Sequence, residues 1–379
     1  MAKSCLVIAT WLTNMLSILP DTGVKREARK ALLDEFINVL QSSNNLEEKI
    51  LATLALKSFV NDPAALEALG VYAKCIYKTL RKLKKNSVVA NDIMKALMNL
   101  SSIDITELWS CAEVVELDSS TNGEVLSLLH VKGRVLSSHS DGTIKVWDAG
   151  KKVLRLIQEV REHTKAVTCL YISSSGDKLY SGSLDKTNSA NAKVACFISQ
   201  GTGVKVYEWS GVQKHINFNK YVKSLAMTGP NLYCGCSGYS IQEVNLGTYT
   251  SSTFYSGTRK LLGKQVVYSL HIRDGILYAG GSSVDASAGK IFSLPNKAAV
   301  GTFVTGLDIQ RIAINNDLIF TATKCGVIEV WLKEKFTRIA SIKMAIGGHA
   351  KITSLAADMD GGMLFAGSSD GRIQVWALD

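Results

Sequence analysis

Asp141-Gly-Thr-Ile-Lys-Val-Trp147-Asp148 returns near the C-terminus as Asp370-Gly-Arg-Ile-Gln-Val-Trp376, and more weakly as Cys325-Gly-Val-Ile-Glu-Val-Trp331. Each copy follows a short apolar run and small residues: Val135-Leu136-Ser137-Ser138, Leu364-Phe365-Ala366-Gly367-Ser368 and Ile319-Phe320-Thr321-Ala322-Thr323. An apolar run, a tight turn at glycine and a second apolar run closing on Trp form the strand–turn–strand centre of a propeller blade. Asp141 and Asp185 lie 44 residues apart and Trp331 and Trp376 lie 45 apart, the repeat length of a four-stranded blade.

Outward from these copies, the composition turns rich in Gly, Ser and Val after Ser101–Trp109 and helical periodicity ends. Seven blade-like cores follow, at Val125–Trp147, Val167–Lys186, Val194–Trp209, Val222–Val244, Val266–Phe292, Ile309–Trp331 and Ile352–Trp376. The last core has no outer strand after it; Ala112–Asp118 is expected to supply one and so close the ring without long free edges. One blade is incomplete. Ser183-Leu-Asp-Lys-Thr187 runs into Asn188-Ser-Ala-Asn-Ala-Lys193, and the next core arrives about twenty residues early for a repeat of this length. A deletion or alternative splice explains this first, a naturally short blade second.

WD repeats of this kind tie their strands with a His–Ser–Asp–Trp hydrogen-bond set. The sequence offers Ser137, Asp141 and Trp147 without a His, then His163, Ser181 and Asp185 without a Trp. Trp331 closes a third core, and His349, Asp370 and Trp376 a fourth in which Ala366 stands where the Ser belongs. Buried polar groups must find partners, so these are structural positions before they are a catalytic triad.

Residues 1–107 read as helices and 108–379 as the all-β seven-bladed WD-repeat propeller, one blade incomplete. Leu32, Leu33, Phe36, Val39 and Leu40 form an i, i+3, i+4 stripe, and Ile50, Leu51, Leu54 and Phe59 repeat it. Asn45 precedes one helix and Pro63 starts another, with further helices expected at Leu66–Leu83 and Val88–Leu100. Three or four antiparallel helices joined by short links make an armadillo-like stack.

Composition excludes several classes. The hydrophobic share is 46%, and 43 Lys and Arg face 33 Asp and Glu, a net charge of +10 spread over both regions. No basic arm for nucleic acid results; Arg81-Lys82-Leu83-Lys84-Lys85 suits a helix end. The eight cysteines form no CxxC pair, and Cys234-Gly-Cys236 reads as small strand residues rather than a metal site. Reduced thiols point to the cytoplasm, with the nucleus compatible. The apolar start Cys5–Leu19 fits a helix better than a signal peptide, and nothing is long enough to span a bilayer. No cofactor or metal is expected.

Met1-Ala-Lys-Ser-Cys-Leu-Val-Ile-Ala-Thr-Trp11, Asn45-Leu-Glu-Glu-Lys-Ile-Leu-Ala-Thr-Leu-Ala-Leu-Lys57, Gly201-Thr-Gly-Val-Lys205, Tyr233-Cys-Gly-Cys-Ser-Gly-Tyr-Ser-Ile-Gln-Glu243 and Gly280-Gly-Ser-Ser-Val-Asp285 carry a more specific likeness. Together they resemble the C-terminal part of the plant U-box/WD-repeat ubiquitin ligases of the CERBERUS/LIN family, over nearly the whole chain. The resemblance implies a role in protein ubiquitination and, in legumes, in nodule infection. In that family a U-box docks the ubiquitin-conjugating enzyme. No segment here resembles it, so this polypeptide alone is expected to lack ligase activity and to meet that enzyme only through an upstream U-box.

The leading expectation is thus an interaction module whose propeller face holds a protein partner or ubiquitination substrate. Turn residues such as Arg273, Asp274, Asn315, Asn316 and Asp317 are candidate contacts. The alternative is a fragment of an active U-box ligase. An enzyme using the propeller channel ranks last, because the six histidines show no grouping.

Overall fold

The computed structural model describes residues 18, 23–60, 69, 72, 76, 79–80, 93, 106–117, 123–172, 179–183, 188–189, 196–198, 202–207, 213–257, 265–284, 286–323, 325–344, 350–359 and 362–378. The chain divides into two compact units, Met1–Leu108 with Asp379, and Trp109–Leu378.

In the first unit α1 covers Gly23–Ser42 and α2 covers Leu46–Val60. Asn45 caps α2: its Oδ1 accepts the Glu47 N–H at 2.9 Å, and its carbonyl accepts the Lys49 N–H at 3.2 Å. The α1 stripe buries Leu33, Phe36 and Leu40, and Phe36 meets Phe59 edge to face at 6.2 Å. On α2 the buried face is Ala52, Ala55, Leu56 and Phe59, while Leu54 stands 42% exposed and Ile50 and Leu51 only partly covered. The expected stripe was rotated. Alanines let the helices approach closely, and they carry the i, i+3, i+4, i+7 pattern that bulkier neighbours obscured. Leu69, Ile76, Leu80 and Ile93 are fully buried; most of the two later helices expected from sequence lies outside the described residues.

The second unit is a β-propeller. Among the described residues it has five four-stranded antiparallel blades, not seven. Named by the residue at the end of the third strand, they are the Trp147 blade (Val125–Val131, Arg134–His139, Ile144–Asp148, Arg155–Val160), the Val244 blade (the second half of Gln213–Thr228, then Asn231–Cys236, Ser240–Asn245, Thr250–Ser256) and the Phe292 blade (Val267–Arg273, Ile276–Val284, Ser287–Ser293, Ala298–Val304). The Trp331 blade follows (Ile309–Ile314, Leu318–Thr323, Val327–Leu332, Thr337–Lys343), then the Trp376 blade (Ile352–Ala357, Met363–Ser368, Arg372–Leu378). The fourth strand of the Trp376 blade is Trp109–Glu116, paired from Trp109↔Leu378 to Glu116↔Arg372.

Among the described residues the other two cores do not complete blades. A His163 unit has Val167–Ile172, Leu179–Ser183 and the two-residue strand Asn188–Ser189. Cys196–Ile198 and Thr202–Tyr207 instead add to the edge of the Val244 sheet, through the first half of the long strand Gln213–Thr228, making six strands. The physical reason is the shortage of chain seen in the sequence. Only six residues separate Ser189 from Cys196, too few for an outer strand and a new inner one.

Burial explains why the repeats read as apolar runs. Both faces of a second strand are covered by neighbouring blades, so Leu318–Thr323 is buried at every residue. Outer strands are largely exposed and polar, as in Thr250–Ser256. Blades abut where a strand residue is small: a Cβ added to Gly235 would lie 2.8 Å from Val267 Cγ1, and one on Gly367 2.6 Å from Val125 Cγ1. Side-chain bonds reinforce the seams, with Ser138 Oγ donating to the Val167 carbonyl at 2.8 Å, Ser224 Oγ to that of Val267 at 3.2 Å, and Thr353 Oγ1 to that of Val125.

Candidate functional site

Two residues after each tryptophan, a backbone amide bonds back to the first hairpin turn of its blade. Ala149 donates to the Gly133 carbonyl, Lys333 to that of Asp317 and Leu378 to that of Gly362. That register sets each Trp across from the second strand. Trp147 Nε1 donates to Ser137 Oγ at 2.8 Å, and Trp331 Nε1 donates to Thr321 Oγ1 at 2.8 Å. Trp376 occupies the same place, paired with Leu364 and ten residues after Ala366, and its indole N–H is buried with no acceptor. Thr321 was missed as a partner; its ten-residue spacing from Trp331, equal to that of Ser137 from Trp147, is the signal that finds it.

The Trp147 blade does have a histidine, but on the second strand. His139 Nε2 pairs with Ser137 Oγ at 2.8 Å. It was overlooked because the usual histidine precedes the first strand, whereas residues i and i+2 of one strand share a face. Burial first, then the Lys145 ammonium, push the His139 pKa down to about 4, against smaller opposing effects of Asp141 and Glu159. Asp141 Oδ1 accepts from the Thr143 amide at 2.9 Å and its hydroxyl at 2.7 Å, shaping the turn. Ser137 and His139 are both fully buried and Ser137 already accepts the Trp147 indole. A serine so enclosed reaches no substrate; the set holds strands together.

In the His163 unit, His163 Nε2 and Ser181 Oγ lie 2.8 Å apart, both buried. Asp185 and His349 fall outside the described residues. Asp370 bonds the Ser368 hydroxyl and lies 3.7 Å from Arg372 Nη1, while Arg372 Nη2 reaches Glu116 Oε1 at 3.0 Å across the ring-closing pair. Cys234 and Cys236 are fully buried, and burial raises both thiols, Cys236 to about 11. They are protonated strand residues. Among the described residues no group of three or more His, Cys, Asp or Glu could hold a metal ion.

The candidate contact residues converge on one face. Asp274-Gly275 closes its hairpin with φ of 51° and 73°, a type I′ turn. Arg273 Nη2 donates to Asn316 Oδ1 at 2.7 Å and Nη1 meets Met359 Sδ at 3.1 Å. Lys333 Nζ donates to Asp274 Oδ2 at 2.6 Å, and this bond holds the Asp274 carboxyl below the usual carboxylate range. Asn315 is buried and accepts the Asp317 and Leu318 amides at 3.0 and 2.7 Å. The first hairpin turns of the Phe292, Trp331 and Trp376 blades are thereby tied into a single rigid surface. Asp274 and Met359 remain exposed on it.

Residues 111–148, 154–188 and 340–377 match the WD domain, G-beta repeat, and residues 1–98 match the family described as "Putative E3 ubiquitin-protein ligase LIN, ARM-like domain". Over the whole chain, identity is 67% to the ligase of that name LIN-1 from Lotus japonicus and 65% to LIN from Medicago truncatula. The chain belongs to the LIN family. It spans 27% of the length of each of these LIN relatives. Each LIN alignment runs over 404 positions against the chain's 379 residues, so 25 positions hold residues of the relative alone. A shorter likeness, 40% over 79 residues and 18% of the chain, links it to 15% of the U3 small nucleolar RNA-associated protein 15 homolog of Bos taurus. In fold it is similar to the computationally designed Ika8 protein, at TM-score 0.51 and 16% identity over 68% of this chain and 96% of that one. No helix among the described residues is long and apolar enough to cross a membrane.

Proposed function

We propose that the LIN-family propeller is a holding surface for a protein, a substrate or scaffold in a ubiquitination pathway. The supporting observation is the tied turn surface around Arg273, Asp274, Asn316 and Met359, in a chain 63–67% identical to named ubiquitin ligases. A surface whose turns are already fixed loses little entropy when a partner docks. In cells that carry a full-length LIN-type ligase, over-expressed chain competes for that ligase's substrates and lowers their ubiquitination. Asp274→Lys with Asn316→Arg, which removes the exposed carboxylate of this face and adds two cations, abolishes the competition. Unchanged ubiquitination on co-expression of the unaltered chain would count against this function.

The second reading, a fragment of an active U-box ligase, rests on the 27% coverage of the relatives. Sequencing the native transcript upstream of Met1 decides it: an in-frame U-box establishes it, and an upstream stop codon removes it. The complete ring of such a protein has seven blades on our reading. The 25 extra positions of the relatives are close in number to the roughly twenty residues by which the core after Thr187 arrives early. We also place the chain in the cytoplasm, since five cysteines are free among the described residues; a fluorescent fusion confined to another compartment overturns this.

A further inference from the structure

The strand ends of the Trp147 blade carry charge where its neighbours carry none. Arg134, Asp148 and Arg155 are paired in register across the second, third and fourth strands, so their side chains share a face. All three are exposed. In the other four complete blades the same row reads Asn231–Asn245–Thr250, Ile276–Ser293–Ala298, Leu318–Leu332–Thr337 and Met363–Ala377–Ser110. Not one of those residues is charged. The blade therefore has no architectural need for charge at this place.

Nor is the row a local ion-pair network. Among the described residues no carboxylate, Asp148 included, lies within ion-pair distance of Arg134 or Arg155. Lys132 and Lys152 flank the row and are exposed as well. The backbone beneath is held still. Ala149 and Leu154, in the loop between the third and fourth strands, are both buried. The Ala149 amide donates to the Gly133 carbonyl, and the Leu154 amide to the Glu113 carboxylate on the outer strand of the Trp376 blade. Arg134 follows Gly133 and Arg155 follows Leu154, so both arginines start from anchored backbone.

The signs along the row run plus, minus, plus, at about 5 Å a strand, which sets the arginines about 10 Å apart. A nucleic-acid strand or an anionic membrane offers negative charge throughout and meets Asp148 with repulsion. A protein helix offers alternation: residues i and i+7 lie about 10.5 Å apart on one face, with i+4 between them. We propose that the Arg134–Asp148–Arg155 row docks a helix of a partner protein that carries carboxylates at i and i+7 and a cation at i+4. Arginine–carboxylate pairs fix the helix at two points, and Asp148 rejects segments that are acidic throughout. The row lies at the same ends of the strands as the turn surface proposed above but on a different blade. It is tested by direct binding, so either reading stands if the other fails.

A labelled alanine-based helical peptide with Glu, Lys and Glu at i, i+4 and i+7 is the probe, read by fluorescence anisotropy with the full chain. Saturable binding is expected. Arg134→Gln with Arg155→Gln weakens it about fivefold, as the loss of two exposed ion pairs should. Lys343→Gln with Lys351→Gln removes the same charge at the opposite ends of the strands and leaves binding unchanged. Arg134→Glu, Asp148→Lys and Arg155→Glu together turn the preference to a peptide with Lys, Glu and Lys at those positions, which also shows that the variant folds. Absence of saturable binding overturns the proposal. So do equal affinities of the parent chain for the two peptides, or an equal loss in the lysine variant. A short single-stranded DNA that binds more tightly through the same arginines also overturns it, since the row would then hold phosphates.

Discussion

A single missing oxygen distinguishes Trp376 from Trp147 and Trp331. All three indoles sit in the same register, but Ala366 has no acceptor to offer where Ser137 and Thr321 do. Thr321→Val should therefore cost about 1–3 kcal/mol, because it leaves a buried N–H unpaired at constant shape. Ala366→Ser should gain about 1 kcal/mol by the reverse logic. Urea midpoints that move in opposite directions at constant slope check both. His139 carries a second residue-scale consequence. Its pKa falls from 6.5 to about 4 in the fold, so the unfolded chain takes up the proton first as pH drops. The stability due to keeping it neutral is complete above about pH 6.5 and is lost as pH falls toward 4, on the order of 3 kcal/mol. His271, also lowered to about 4 by burial and then by Arg273, adds to the slope. Unfolding free energies at pH 7 and pH 4.5 should converge for His139→Gln relative to the parent chain.

At the scale of the element, the seams between blades depend on residues that present almost nothing. Gly235 and Gly367 stand where the first valine of the next blade's inner strand arrives, 2.6–2.8 Å from where a Cβ would be. Gly367→Ala should push the Trp376 and Trp147 blades apart and cost about 1–3 kcal/mol, as overpacking does in well-filled interiors. The equivalent serine in the Trp147 blade, Ser138, is tolerated because its hydroxyl bonds the Val167 carbonyl. A Gly367→Ser variant that is as stable as the parent would show that the Trp376 seam has the same slack. The strand patterns were open to inspection in the sequence: continuous small and apolar runs mark second strands buried on both faces, and Trp marks the end of the third. The α2 face was not, because Ile50, Leu51 and Leu54 outweigh Ala52 and Ala55 in any hydrophobic pattern, yet the alanines are what a close neighbour covers.

For the whole molecule, closure rests on the pairing of Trp109–Glu116 with Arg372–Leu378, two segments from opposite ends of the β unit. Deleting residues 109–116 would free the edge of Arg372–Leu378 and uncover Phe320. The expected result is loss of the cooperative transition and concentration-dependent aggregation, seen by light scattering. Among the described residues the His163 unit has no outer strand, which leaves this closing pair as the complete one.

Periodicity, turn glycines and the Trp spacing were enough, in the sequence by itself, to establish blades, the helical region before them, the family and even the shortage of chain after Thr187. Those features are local or countable: a strand reads its own period, and a repeat its own length. The tertiary structure alone decided how the shortage is absorbed. Thr202–Tyr207 joins the Val244 sheet through the long strand Gln213–Thr228, because an unpaired strand must satisfy its backbone groups on the nearest available edge. It also decided that His139 serves Ser137, and that Ile157 stands bare where Ile339 is covered. His139 and Ser137 stand two residues apart, but that they are buried together, like the bareness of Ile157, depends on what neighbouring strands and blades bring alongside, and no window of sequence contains that.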